Sequence, residues 1–306
     1  MSYLYISEPA AIPVDEVRQR IGSTYTIMEG DPTFRDASSH SDVTALMIRS
    51  ETQVTSTIIQ TFPHLKHIIR VGTGVDNVDL TFCKQSGIAV YNAAGANADA
   101  VSEYVVTMLL TALRKTHYVT DSDVANWNRF KFRGRSISEC TVGIVGFGNI
   151  GRLIYDKLRA FGCTNFIVHD PFVDANTLPE HTRMSTSVDE LLPLCDAITL
   201  HIPLLDSTRN LIDQPQLAIM KKDAILINAS RGGIVQEESV TTHAAIHHDF
   251  VYIADTVDGE PHVNPALLGH ENILVTPHIA SLTSASERAM LETAIQNFIT
   301  NKPMQL

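Results

Sequence analysis

Cysteine is scarce in this chain. Cys83, Cys140, Cys163 and Cys195 are scattered without paired spacing. That excludes a disulfide-stapled scaffold and a cysteine-held metal, and leaves reduced, buried thiols in a cytoplasmic protein as the expectation. Positive charge is also short: 23 Lys and Arg stand against 34 Asp and Glu, a net charge of −11. Nucleic acids and anionic membrane surfaces recruit basic patches, so neither is an expected partner. No apolar run reaches bilayer-spanning length, and the opening Tyr3–Ile6 has no basic leader. No repeat or low-complexity segment is present, and there is one tryptophan, Trp127.

What remains is a globular composition. The chain has 306 residues and 44% apolar content, enough for two domains with their own cores. Through the first part, short apolar runs (4–7, 44–48, 67–71, 89–91) alternate with amphipathic stretches (14–21, 54–62, 80–86). That alternation predicts a parallel α/β layer. A long helix is expected over 96–116, apolar on more than one face and so buried on two sides. A polar and basic loop over 121–139 follows, too long for an ordinary connection. A second α/β unit then begins at Thr141, with strands expected over 142–145, 166–169, 197–201, 224–228, 251–255 and 273–275. A last helix is expected over 284–300.

The second unit opens on Thr141-Val142-Gly143-Ile144-Val145-Gly146-Phe147-Gly148-Asn149-Ile150-Gly151. An apolar run, a G-x-G-x-x-G loop and a helix-like stretch follow in the order a dinucleotide site requires. Gly146 allows the turn, Gly148 lets the backbone approach a pyrophosphate, and Gly151 lets helix pack on strand. Asn149 and Ile150 open the helix, whose free N–H groups suit phosphates. Asp170 lies about twenty residues further on, where a carboxylate accepts hydrogen bonds from an adenosine ribose. The pattern predicts NAD rather than NADP as the cofactor.

The segments 70–79, 200–204, 228–235 and 276–280, with Asp255 and Glu260-Pro261 between the last two, in this order resemble the D-isomer-specific 2-hydroxyacid dehydrogenase family, and in motif its phosphoglycerate dehydrogenase branch most of all. Arg70-Val71-Gly72-Thr73-Gly74-Val75-Asp76-Asn77-Val78-Asp79 resembles the substrate loop, and Leu200-His201-Ile202-Pro203-Leu204 with Thr208 a cofactor-side segment. Asn228-Ala229-Ser230-Arg231-Gly232-Gly233-Ile234-Val235 resembles the arginine motif, Asp255 with Glu260-Pro261 the acidic motif, and Thr276-Pro277-His278-Ile279-Ala280 the histidine motif. The resemblance implies a Rossmann-type NAD-binding domain, residues 97–282, inserted into a flavodoxin-like substrate domain, residues 1–96 plus 283–306. It also implies reversible interconversion of a D-2-hydroxy acid and its 2-oxo acid.

The chemistry explains the residue types. His278 is the candidate acid, because imidazole titrates near neutral pH. Glu260 would favour its charged form and orient the ring. Arg231 would grip a carboxylate with a planar fork and polarise the adjacent carbonyl. The amides of Thr73 and Gly74 would hold the substrate carboxylate. His201, Pro203, Thr208, Ala229, Ser230, Asp255 and Ala280 would line the cofactor. Arg49, with Ser50 beside it, Arg70 and Arg129 match positions that face a substrate's phosphate end, so a phosphate or phosphonate is a candidate second anion. A glyoxylate, hydroxypyruvate or D-lactate type of reductase is the alternative, and an NAD-sensing corepressor is the alternative of another class. His243, His247 and His248 are expected as exposed helix histidines and not as a metal site. A homodimer is expected, through the long helix and the Trp127 loop, and so is hinge closure of the two domains.

Overall fold

Strands and helices alternate through the described residues, 2–34 and 41–306 of the computed structural model. The chain divides into two compact units, Met1–Asn97 with Leu282–Leu306, and Ala98–Ser281.

The first unit contains β1 (Ser2–Ile6), α1 (Val14–Ile21), β2 (Tyr25–Glu29), β3 (Val43–Ile48), α2 (Ser56–Gln60), β4 (His67–Arg70), α3 (Leu80–Gln85) and β5 (Ala89–Tyr91), and α10 (Ser284–Ile299) returns to it. Its five strands are parallel, in the order β2-β1-β3-β4-β5. That is the doubly wound order of flavodoxin-like sheets. Successive side chains of β3 face opposite ways, so Ala45 and Met47 pack under α1 and α10 while Leu46 and Ile48 pack under α2 and α3. Burial on both faces makes such a strand a continuous apolar run. β2 was not expected from the sequence. It is an edge strand with no fully buried residue, so its apolar signal is weak. α2 is shorter than the expected 54–62, because Thr55 caps it and Val54 instead bridges to Val78.

The second unit contains α4 (Ala98–Leu113), α5 (Asp121–Ala125), β6 (Thr141–Val145), α6 (Asn149–Ala160), β7 (Asn165–His169), β8 (Thr182–Met184), α7 (Val188–Leu191), β9 (Ala197–Leu200), α8 (Gln214–Ile219), β10 (Ile225–Asn228), α9 (Glu237–Ile246), β11 (Val251–Ala254) and β12 (Ile273–Val275). Seven parallel strands take the order β12-β11-β10-β9-β6-β7-β8. The order reverses at β6, the switch point where Rossmann sheets receive a dinucleotide. Six strands were expected; β8, short and half-exposed at the sheet edge, is the seventh.

α4 ends at Leu113 rather than 116, because Lys115 adopts a left-handed backbone (φ +54°). The segment expected as a loop carries α5 and short 3-10 turns, braced by Asp123. Its carboxylate bonds Thr120 and Lys131, which hold its pKa down at about 2. His243 and His247 are not exposed as expected. Their tilted rings have centroids 4.4 Å apart and His243 packs edge-on against Phe250, with burial pushing its pKa down to about 4. Among the described residues, no helix is long and apolar enough to cross a membrane.

Candidate active site

The glycine loop leaves β6 at the carboxyl edge of its sheet. Gly146 has φ +93°, and a Cβ there would collide with the carbonyl oxygen of His201. A Cβ on Gly151 would collide with the carbonyl of Gly146, so helix and turn meet only without a side chain. Gly148 faces open space, and it begins α6 without any side-chain cap on the helix N–H groups. Asn149 and Ile150 form the first turn. Pairing of β6 with β7 aligns Val145 with His169, which brings Asp170 to this loop. Its carboxylate accepts from the amide of Phe147 at 2.8 Å and from that of Phe172 at 2.9 Å. Each oxygen keeps a further lone pair for another donor.

A second cluster sits at the carboxyl ends of β10, β11 and β12. The register aligns Asn228 with Ala254, and Ala254 with Val275, so the segments that follow lie side by side. Asn228, fully buried, organises the first. Its side chain donates to the carbonyl of Arg231 at 2.8 Å and accepts from the Ser230 hydroxyl at 2.7 Å. The Arg231 guanidinium donates to the carbonyl of Ser230 at 2.7 Å. Ala229 is buried beside them.

Asp255, 2% exposed, organises the third segment. One carboxylate oxygen accepts from the Thr276 hydroxyl at 2.6 Å and the Ile279 amide at 2.8 Å; the other accepts from the Ala280 amide at 2.9 Å. Because the Thr276 proton is committed to Asp255, Tyr104 of α4 donates to Thr276, at 2.6 Å. The segment bends so tightly around this carboxylate that His278 takes φ +54° and its amide donates to the carbonyl of Asp255.

The His278 imidazole, half-exposed, has its Nδ1 3.0 Å from Glu260 Oε2. That bond is the largest cause holding the His278 pKa above its ordinary value; burial opposes it, the charges of Glu260 and Asp255 reinforce it, and Arg231 works against it. The arrangement favours a charged imidazole beside a guanidinium.

In the first unit, Thr73 is held by its hydroxyl, which bonds the carbonyl of Ala93 and Asn97 Oδ1, while Asn92 donates to its carbonyl. Gly72 leaves room for the folded-back Arg70 guanidinium, which any Cβ would displace. Arg70 and Arg49 sit at neighbouring strand ends, since Ile48 pairs with Arg70. The Arg49 guanidinium is engaged by Glu287, at 2.8 Å, and by the carbonyl of Ala11. Ser50 next to it is exposed. Arg129, in the second unit, lies over the ring of Phe130.

A model of the D-isomer-specific 2-hydroxyacid dehydrogenase NAD-binding domain matches residues 106–280. This chain belongs to the D-isomer-specific 2-hydroxyacid dehydrogenase family. It is 35% identical over 274 residues to an (S)-sulfolactate dehydrogenase of Chromohalobacter salexigens, covering 87% of each chain. It is 34% identical over 252 residues to a D-3-phosphoglycerate dehydrogenase of Methanocaldococcus jannaschii, covering 81% of this chain and 48% of that one. A glyoxylate reductase from Paecilomyes thermophila has the same fold, with a TM-score of 0.85 and 25% identity over 98% of this chain and 94% of that one. NAD-dependent oxidoreduction of 2-hydroxy acids is the chemistry of the family.

The residues of this dehydrogenase fit NAD. Open space at Gly148, an uncapped helix end and a fixed acidic residue at Asp170 suit a pyrophosphate and a ribose bearing free hydroxyls. Behind the loop, burial pushes the His201 pKa down to about 3, so its imidazole is neutral, with Nε2 2.7 Å from the Thr199 hydroxyl. The Thr208 hydroxyl closes the following turn by donating to the carbonyl of Pro203 and accepting from the Leu205 amide. Sequence reasoning missed Tyr104, Asn77 and Glu8. Asn77 sits inside the motif 70–79 and Glu8 two residues after β1, but their bonding partners are distant in the chain.

Proposed function

We propose that this dehydrogenase interconverts a D-2-hydroxy acid carrying a second anion at C3, a sulfonate or phosphate, and its 2-oxo acid. The observation that carries the dehydrogenase chemistry is the 3.0 Å His278–Glu260 pair, at a sheet edge shared with Arg231. In the reductive direction Arg231 grips the substrate carboxylate and polarises the neighbouring carbonyl. His278 delivers a proton to the carbonyl oxygen while Glu260 stabilises the imidazolium that precedes transfer. NADH, when bound, supplies the hydride to the carbonyl carbon. The neutral imidazole left behind regains a proton from water, which its half-exposed ring admits. The Thr73 and Gly74 amides are assigned to the substrate carboxylate. Asp170 is assigned to the adenosine ribose, with Gly146, Gly148, Asn149, Ile150 and Gly151 at the pyrophosphate. His201, Pro203, Thr208, Ala229, Ser230, Asp255 and Ala280 are assigned to the rest of the cofactor.

The second anion is supported by Arg49 and Arg70 on adjacent strand ends and by the relatives that act on sulfolactate and phosphoglycerate. The (S) label of sulfolactate denotes the D arrangement, because the sulfur-bearing carbon outranks the carboxyl in the naming rules. A smaller substrate, such as glyoxylate, hydroxypyruvate or pyruvate, is favoured by one observation: Glu287 and Ala11 already engage the Arg49 guanidinium. Steady-state NADH oxidation with sulfopyruvate, phosphohydroxypyruvate, hydroxypyruvate, glyoxylate and pyruvate separates the two. A kcat/KM highest on the unphosphorylated, unsulfonated acids overturns the second anion.

We infer also that the active species is a cytoplasmic homodimer. Its four cysteines are free and buried, as reducing surroundings allow. The Trp127 segment, pinned by Asp123, exposes Trp127 by 75% and Phe130 by 73%, an apolar face suited to a second copy.

A further inference from the structure

Glu8 follows β1 at the carboxyl edge of the first unit's sheet and is only 5% exposed. Its carboxylate gathers one short loop. Oε1 accepts from the Arg49 amide at 2.9 Å, the Thr52 amide at 3.0 Å and the Thr52 hydroxyl at 2.6 Å. Oε2 accepts from the Glu51 amide at 3.3 Å. Ser7 Oγ lies 2.7 Å from the same Thr52 hydroxyl.

Asn77 holds the loop from the other side. Its side-chain amide donates to the carbonyl of Arg49 at 2.8 Å and to that of Thr52 at 2.7 Å. Its own carbonyl accepts from the Val54 amide at 2.8 Å. Residues 49–52 belong to no helix or strand. Nevertheless the N–H and the carbonyl of both Arg49 and Thr52 are bonded, by the side chains of Glu8, which follows β1, and Asn77, in the segment between β4 and α3.

Burying a carboxylate is costly unless its hydrogen bonds are complete. Closing a surface turn does not require one. A satisfied buried carboxylate makes sense where a loop must hold one geometry. The carboxyl edge of an open parallel sheet is where ligands sit, and the side chains the clamp leaves pointing outward are exposed Ser50 and Glu51. Asn77 belongs to the same chain segment as Thr73 and Gly74, so one clamp sets both loops.

We propose that Glu8 and Asn77 are positioning residues that fix loop 49–52 beside the Thr73–Gly74 loop. They thereby set how tightly the C3 end of the acid is held by Ser50 and Arg49. This rests on the dehydrogenase reading above. Glu8→Gln puts an amide donor against backbone donors; Thr52→Val removes a single hydroxyl and preserves volume. Glu8→Gln breaks charged hydrogen bonds to the loop, so the KM of the preferred 2-oxo acid is expected to rise ~10-fold in it. For Thr52→Val we expect a rise of roughly 3-fold. In both, kcat and the KM of NADH stay within about 2-fold, because the reacting groups are untouched.

The measurement is steady-state kinetics on the purified full chain, with thermal unfolding alongside. A lower Tm with an unchanged KM for the acid in both variants means the clamp is structural only, and overturns the proposal. If Glu8→Gln does not fold, Thr52→Val decides alone. A wild-type chain inactive on every 2-oxo acid overturns the dehydrogenase reading and the clamp's role with it. An active wild type with unshifted variants overturns the clamp alone.

Discussion

Glu260 accepts a 3.0 Å hydrogen bond from Nδ1 of His278, and the imidazole is held above the ordinary histidine pKa mainly by that bond. The orientation assigns the Nδ1 proton to this bond and leaves Nε2 for the reacting oxygen. Removing the carboxylate charge takes away the leading cause of the raised pKa. Glu260→Gln is therefore expected to move the alkaline limb of the reductive kcat/KM profile to lower pH. The pH-independent rate should fall by about 10-fold or more, within the range of general acid catalysis. A pH–rate profile checks this; a limb that stays in place separates Glu260 from the proton donor. The pair also links stability to pH. Its contribution is complete below about pH 6.5 and is lost as pH rises through the raised folded value. Half-exposure screens it, so thermal unfolding should show only a small effect.

Asp170 accepts a hydrogen bond from the Phe147 amide of the glycine loop and is assigned above to the adenosine ribose. A carboxylate there repels a 2′-phosphate. Asp170→Ala is expected to raise the KM of NADH by roughly 10-fold, the cost of a charged hydrogen bond. It should also narrow the preference for NADH over NADPH. Parallel titrations with both cofactors test it; wild-type turnover favouring NADPH would contradict the assignment.

Gly146 combines φ +93° with the absence of room for a Cβ against His201. Gly146→Ala is expected to destabilise the chain by about 2 kcal/mol or more, since backbone strain and overpacking add. Urea unfolding measures it, and a change below ~0.5 kcal/mol would show that the loop relaxes freely.

Trp127 and Phe130 are large apolar side chains on a braced segment. Trp127→Asp with Phe130→Asp is expected to convert a dimer into a monomer in light scattering after gel filtration. An unchanged dimer mass would place the interface elsewhere.

The fold was legible where the signal is local. β6, the glycine loop and α6 are contiguous, and backbone sterics within that segment dictate the glycine spacing. Strands buried on both faces, such as Val43–Ile48 and Ile225–Asn228, announce themselves as apolar runs. Edge strands β2 and β8 did not, because half their surface meets water and polar residues are tolerated there. The end of α4 also escaped, since nothing in the sequence marks the left-handed turn at Lys115.

At the site, the sequence by itself determined which chemical groups are available: a glycine-rich helix start, a carboxylate at Asp170, and an Arg, Glu and His in separate motifs. Only the tertiary structure decided which groups touch. Alignment of β10, β11 and β12 sets the Arg231, Asp255 and His278 segments side by side, although more than twenty residues separate each from the next along the chain. The Tyr104–Thr276–Asp255 chain and the Glu8–Asn77 clamp had no local trace. A side-chain hydrogen bond acts over about 3 Å, and its partners are chosen by sheet register and helix packing rather than by sequence neighbours. Residue type states what a group can do; packing states what it is able to do it to.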